Sequence, residues 1–349
     1  MSKHIHGGNI YKKSYAGRKM LDFSANINPL GPPAAVLDAL SSSGRICANY
    51  PDPECGNLRL AISESERVPV EYIFCSNGAA EIIYRIAFAL KPASTLLPAP
   101  TFAEYEEALT TAGGSVTRHV LDESTGFRIG WDFVDAIGPG TDMVFICNPN
   151  NPVGISADRD VLLAALDKCR ECGATLVMDE CFIDFMEDTS SSLKDMLEAY
   201  GNLIIVRAFT KIFAMAGLRL GYCLTSNRET ISSIALCGQP WSVSSVAQAC
   251  GIAALTDREH LVKTVALISQ QREYITTALR TLGLKVYESH TNFILFRSGD
   301  HSLCRKLEGY DILIRSCENF AGLGPGYYRA AVKSEPDNRR LISALKEVL

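Results

Sequence analysis

No uninterrupted apolar run in this chain of 349 residues reaches the roughly 20 residues needed to span a bilayer. The first residues also lack the apolar core of a signal peptide, and together these absences point to the cytoplasm as the expected compartment. An excess of one charge is missing as well. Lys and Arg total 34 against 39 Asp and Glu, a net charge of -5. That balance gives no general attraction for nucleic acid or for an anionic membrane, so any anion site must be a local cluster of arginines. Paired cysteine motifs are nearly absent, with a single CxxC. The twelve cysteines are scattered singly, often in apolar runs as at Cys75, Cys147 and Cys223, which fits reduced thiols used as small core residues. Cys169-Arg-Glu-Cys172 has no matching second pair and reads as structural, so no metal is expected. There is no internal repeat, low-complexity tract or disordered linker. The glycine-rich His6-Gly7-Gly8-Asn9 precedes no helix and is not a P-loop.

What is present is a long alternation. Hydrophobic residues make up 47% and charged residues 21%, ordinary for a soluble globular protein, and the length predicts more than one domain. Short apolar strands are expected at 72–75, 95–97, 116–120, 143–146, 175–178 and 203–206. Helical patterns lie between them at 79–90, 103–111 and 159–172, with a further helix near 193–200. Such alternation predicts an α/β fold with a mostly parallel sheet covered on both faces, and ligands bind at the carboxyl ends of such strands. After Trp241 the character changes. A helix over 243–255 and a long one over about 260–282 precede strands at 285–287 and 293–296, and a helix at 336–349 closes the chain. The expected division is an N-terminal arm with part of a small domain (1–45), a large domain (46–240), and an interdomain helix with the C-terminal small domain (241–349).

The chemistry concentrates in Leu203 to Tyr222. An apolar strand ends at Thr210-Lys211, Arg219 follows, and then Gly221. A lysine set among apolar residues loses charge on burial and gains nucleophilicity, as a Schiff-base lysine requires. Arg219 and Thr210 could hold a phosphate. That stretch alone fits a snorkelling lysine equally well. Other strand ends carry matching groups. Ser76-Asn77-Gly78-Ala79 would let backbone N–H groups approach a phosphate at a helix N-terminus, though many helices start this way. Phe102 could lie over a flat heterocycle or simply be core. Asn148-Pro149-Asn150-Asn151-Pro152 is a tight loop presenting Asn151, or a plain turn. Asp179 ends a buried strand and needs a cationic partner; a protonated pyridine nitrogen is one.

In this order these residues resemble the fold-type I pyridoxal-phosphate enzymes, the aspartate aminotransferase superfamily, over nearly the whole chain. The resemblance implies a fold-type I fold with pyridoxal 5'-phosphate as cofactor. Lys211 then looks like the Schiff-base lysine, Asp179 the partner of the pyridine nitrogen, Asn151 the donor to the ring hydroxyl and Phe102 the stacking ring. Gly78, Ala79, Thr210 and Arg219 match the phosphate cup. Tyr50 resembles the tyrosine that reaches a neighbouring subunit's cofactor phosphate, which implies a homodimer with shared sites. Two positions depart from the pattern: Phe182 stands where many aminotransferases have a tyrosine, and Ala208 where a hydroxyl residue often helps hold the phosphate. HGGNI, LDFSANINPLGPP, PTFAEYEEA, QPWSV, ILIRSCENFAGL and YYRAAVKS resemble the threonine-phosphate decarboxylase branch, close to the histidinol-phosphate aminotransferases. That likeness implies His6, Gly7, Asn26, Asn151, Arg315 and Arg329 around the substrate. It also implies decarboxylation of L-threonine O-3-phosphate to (R)-1-amino-2-propanol O-2-phosphate for cobalamin, with histidinol-phosphate transamination the alternative. Taken singly, His6 could be a tail histidine and the arginines members of surface ion pairs. Lys211 is a candidate proton donor to the α-carbon, with a tyrosine or water remaining open.

Overall fold

The computed structural model describes residues 6–349. A two-residue strand, β1 (Leu21–Asp22), comes first. Then β2 (Ile73–Ser76), β3 (Ser94–Ala99), β4 (Ser115–Val120), β5 (Met143–Cys147), β6 (Thr175–Asp179), β7 (Leu203–Ala208) and β8 (Gly221–Leu224) build one seven-stranded sheet, in the order β2-β8-β7-β6-β5-β3-β4. The pairings from β4 through β7 are parallel. Only β8 runs against its neighbours, β7 and β2. The expected α/β architecture with a mostly parallel sheet is therefore present.

Residue alternation explains why this sheet is buried on both sides. In β5, Met143, Phe145 and Cys147 enter one core with Ile82, Ile86 and Leu109. Val144 and Ile146 enter the other, with Leu162 and Leu166. Successive strand side chains point to opposite faces, so a strand covered on both faces must be apolar throughout; β5 is buried at all its positions. The same alternation at the end of β6 sends Asp179 to the first face, where the buried Tyr105 meets it, and Glu180 to the second.

Four further strands, β9 (Lys285–Val286), β10 (Phe293–Arg297), β12 (Arg315–Ser316) and β13 (Tyr327–Ala331), make an antiparallel sheet in the order β12-β13-β10-β9. Between them in sequence, β11 (Ile312–Leu313) pairs in parallel with β1, and Ala331 N donates to Phe23 O at 2.8 Å. The N-terminal segment thus docks on the C-terminal strands. The long helix Arg258–Thr281 starts where the Asp257 side chain accepts from His260 N, an N-cap that satisfies an otherwise orphaned donor.

One expectation is corrected. The segment 193–200 is not a helix; it holds a single 3-10 turn, Lys194–Met196. Leu193 N donates to Glu180 Oε1 at 3.2 Å and Lys194 Nζ pairs with Glu66 Oε2 at 2.7 Å, so contacts to the core replace the i→i+4 ladder. The strand β8 at Gly221–Leu224 is additional to the expected strands and follows the turn at Ala216-Gly217-Leu218.

Candidate active site

The carboxyl ends of β5, β6 and β7 open onto a cavity of about 470 Å³, lined among others by Cys147, Asp179, Ala208, Thr210 and Lys211. Lys211 sits in the single helical turn Phe209–Ile212 that follows β7. Burial lowers its pKa to about 8, and the Arg329 and Arg219 guanidiniums push the same way against the nearby Cys181 and Asp179. The amine is therefore partly neutral near physiological pH, the state a nucleophile needs.

Asp179, 5% exposed, is held from two sides. Its Oδ1 accepts from Cys181 N at 2.9 Å and its Oδ2 from the Tyr105 hydroxyl at 2.6 Å. Burial, then the Asp179 charge, holds the Tyr105 phenol well above its ordinary pKa, so it stays a donor. Phe102 lines the cavity and meets Tyr105 edge-on, with centroids 5.6 Å apart. Across the site, helix Ala79–Leu90 begins after Gly78, whose φ is +88°. A Cβ on Gly78 would fall 2.8 Å from Arg219 Nη2, so only glycine lets the guanidinium lie over this helix start. Backbone N–H groups, the helix dipole and Arg219 converge there, with Thr210 also on the cavity wall, which is the chemistry of a phosphate cup.

The opposite wall carries the arginines. Arg315 and Arg329 are cross-strand partners on β12 and β13, and both are buried. Like charges directly opposite each other are destabilising. Burial lowers the pKa of Arg329 to about 10, which still leaves it a cation at neutral pH. Its Nη1 donates to Asn151 Oδ1 and its Nη2 to Ser24 O. Among the described residues it makes no ion pair, and its Nε has no partner. The Asn151 contact turns that side chain's oxygen to the arginine and leaves Nδ2 to donate. Arg315 Nη2 donates to Asn319 Oδ1 at 2.7 Å. Asn26, 3% exposed, has an unpartnered Oδ1. His6 and Gly7 close the wall. Unpartnered buried polar atoms beside opposed cations call for an anionic, hydrogen-bonding ligand.

One expected residue is elsewhere. Tyr50 is 80% exposed and does not line the cavity; its ring lies on Trp241, with centroids 4.8 Å apart. Every other residue expected at the cofactor or substrate is at the cavity, with Gly78 immediately behind Arg219. The two departures stand as apolar surfaces: Phe182 packs edge-on to Phe293 at 5.0 Å, and Ala208 lines the cavity. Sequence reasoning missed Tyr105, Glu104 and Asn319. Tyr105 lies in the first turn of the helix Glu104–Thr111, three residues after Phe102, and that closeness in sequence was the available signal.

Beneath the site lies a buried ionic cluster. Arg207 Nη2 is 2.7 Å from Glu180 Oε2, with side chains 7% and 0% exposed, and Nη1 reaches Glu66 and Asp184. Glu180 follows Asp179 and Arg207 precedes Lys211 by four positions, so the pair ties the two key segments together. Glu180→Ala removes the shortest of Arg207's ion pairs and leaves it the longer ones to Glu66 and Asp184, and is expected to cost about 3 kcal/mol in chemical denaturation. The double change Glu180→Leu with Arg207→Met should recover most of that; a single-mutant loss below about 1 kcal/mol would show the pair to be dispensable.

These residues fit pyridoxal phosphate: an amine for covalent attachment, a carboxylate for the ring nitrogen, an aromatic wall and a phosphate cradle that a Cβ would fill. The sequence model for aminotransferase class I and II matches residues 18–345, and the chain belongs to this family of pyridoxal-phosphate enzymes. Within it, the chain is 36% identical to the threonine-phosphate decarboxylase of Salmonella typhimurium over 351 residues, covering 99% of this chain and 96% of that one. Among solved structures it is similar to the histidinol-phosphate aminotransferase of Clostridium acetobutylicum (TM-score 0.89, 33% identity, 94% of this chain and 99% of that one). It is also similar to the L-threonine-O-3-phosphate decarboxylase of Porphyromonas gingivalis (TM-score 0.83, 27% identity, 93% and 98%). No helix among the described residues is long and apolar enough to cross a membrane.

Proposed function

We propose that this chain decarboxylates L-threonine O-3-phosphate, releasing CO₂ and (R)-1-amino-2-propanol O-2-phosphate for the linker of cobalamin. The observation that carries the reading is the opposed pair Arg315 and Arg329, buried at one register of β12 and β13. A substrate bearing both a phosphate and a carboxylate neutralises two guanidiniums that otherwise repel.

Bound pyridoxal phosphate supplies the electron sink that accepts the pair left behind by the departing carboxylate. The chain's own residues do the rest. Gly78, Ala79, Thr210 and Arg219 would hold the cofactor phosphate, Asp179 the ring nitrogen and Asn151 the ring hydroxyl, with Phe102 as the aromatic wall. His6, Gly7, Asn26, Asn151, Arg315 and Arg329 would hold the phosphate and the carboxylate of the substrate. Lys211, with its pKa lowered to about 8, carries a proton to the α-carbon once CO₂ has left. Delivery of the proton to that carbon is what yields the amine product.

The test is purified chain with pyridoxal phosphate and L-threonine O-phosphate, following CO₂ and the phosphorylated amine. Many turnovers with equal CO₂ and amine are expected. Turnover only of histidinol phosphate with 2-oxoglutarate would assign the aminotransferase activity instead.

We also infer a homodimer. Tyr50 is exposed, braced by Trp241 and remote from its own cavity, a placement suited to a neighbouring subunit's phosphate cup. Sedimentation should show two chains, and Tyr50→Ala should weaken cofactor retention about tenfold, the loss of a hydrogen bond to a charged group. A monomer with full cofactor affinity overturns this.

A further inference from the structure

A carboxylate lies in the wall of a cavity proposed to take a doubly anionic substrate. Glu104 opens the helix Glu104–Thr111 and lines the cavity, with its side chain 15% exposed. Unpaired, its charge would repel both the phosphate and the carboxylate of such a ligand. Its Oε1 is 2.8 Å from His6 Nε2.

His6 belongs to an arm that is fixed on the other side of the cavity. Gly7 lies so close to Ser24 that a Cβ would fall 2.0 Å from Ser24 O. Gly8 N donates to Ser24 Oγ at 2.8 Å. Ser24 in turn donates from Oγ to Asp22 at 2.5 Å, and its carbonyl accepts from Arg329 at 2.9 Å. The arm therefore crosses from Ser24, beside the arginine wall, to Glu104, beside Phe102. Between those anchors the imidazole also has an aromatic contact, Phe102 at 6.1 Å and tilted 59°. With Nε2 committed to Glu104, Nδ1 is the ring nitrogen left for a ligand.

We propose that Glu104 is the positioning residue for His6: it clasps the N-terminal arm across the cavity and orients the imidazole so that Nδ1 meets the substrate's phosphate. This rests on the reading of the cavity as a phosphorylated-amino-acid site. Carboxylate, imidazole and phosphate then line up in sequence, with the imidazole between the two anionic groups.

The experiment uses full-length chain loaded with pyridoxal phosphate, as the parent, Glu104→Ala, Glu104→Gln, His6→Ala and the double Ala variant. Hydrogen exchange of residues 6–10 is followed first, with no substrate present. Glu104→Ala and His6→Ala should each speed exchange of the arm about tenfold, with Glu104→Gln close to the parent because its amide oxygen still accepts. Kinetics come second. Glu104→Ala should raise KM for L-threonine O-phosphate about tenfold with kcat within about twofold, and should add nothing in the His6→Ala background. Unchanged arm exchange in both single variants, or penalties that add in full, overturns the proposal. If arm exchange responds as expected while the parent releases no CO₂, the clasp stands and the substrate reading falls.

Discussion

Lys211→Ala is expected to abolish CO₂ release, by roughly 10⁴-fold or more, because it removes the covalent attachment and the proton carrier at once. The loss should come with the disappearance of the visible absorbance of lysine-bound cofactor, while the fold is retained. A buried amine held near pKa 8 contributes unfavourably to folding as a cation, so its removal does not weaken the core. The sign can be followed through pH. In the unfolded chain the lysine titrates near 10.4; in the folded chain it titrates near 8. Between these values the unfolded state binds more protons, so the apoprotein gains stability as pH rises through that window. In Lys211→Ala this rise should be missing. Capture of pyridoxal phosphate by the parent apoprotein should speed up with pH to a plateau just above 8, as the neutral amine becomes the dominant form. A midpoint near that of a free lysine would contradict the burial argument. Residual turnover above about a hundredth of the parent would remove Lys211 from the proton step.

How much of this was legible in the sequence depends on distance along the chain. The central strands of the large sheet, such as β5, were readable because each is a short apolar run, and burial on both faces leaves no polar position to obscure it. Lys211, Thr210 and Arg219 were readable because one local stretch holds them. The 3-10 turn at Lys194–Met196 was not. Its helical pattern is real, but Glu180 and Glu66, remote in sequence, bind its backbone and side chains. Likewise the opposition of Arg315 and Arg329 appears only once β12 pairs with β13. Spacing within a strand cannot announce a cross-strand neighbour. Glu104 meeting His6 is a contact between the N-terminal arm and a helix start, with no local signal at all. Tyr50 presents the opposite case, since the resemblance names a role that one chain by itself does not display.

Asp179→Ala is the second large effect. The carboxylate is buried at the end of β6, its two oxygens fixed by Cys181 N and the Tyr105 hydroxyl. In the proposed site its charge keeps the ring nitrogen protonated, and a protonated ring is the better electron acceptor. Removing one partner of a buried charge pair costs about 3–5 kcal/mol, which at about 1.4 kcal/mol per decade corresponds to roughly 10²–10³·⁵ in rate. Asp179→Asn keeps the volume and one acceptor but loses the charge, so it should lie close to the Ala variant in kcat while binding cofactor better. Tyr105→Phe separates charge from orientation. It removes only the donor to Oδ2, and about tenfold is expected. If Asp179→Asn stayed within tenfold of the parent, the ring would not depend on this carboxylate for its charge, and the assignment of Asp179 to the pyridine nitrogen would fail even with Lys211 confirmed. If Asp179→Asn and Asp179→Ala both lost activity but Tyr105→Phe lost as much, the hydroxyl would be setting the carboxylate's place and not merely satisfying it.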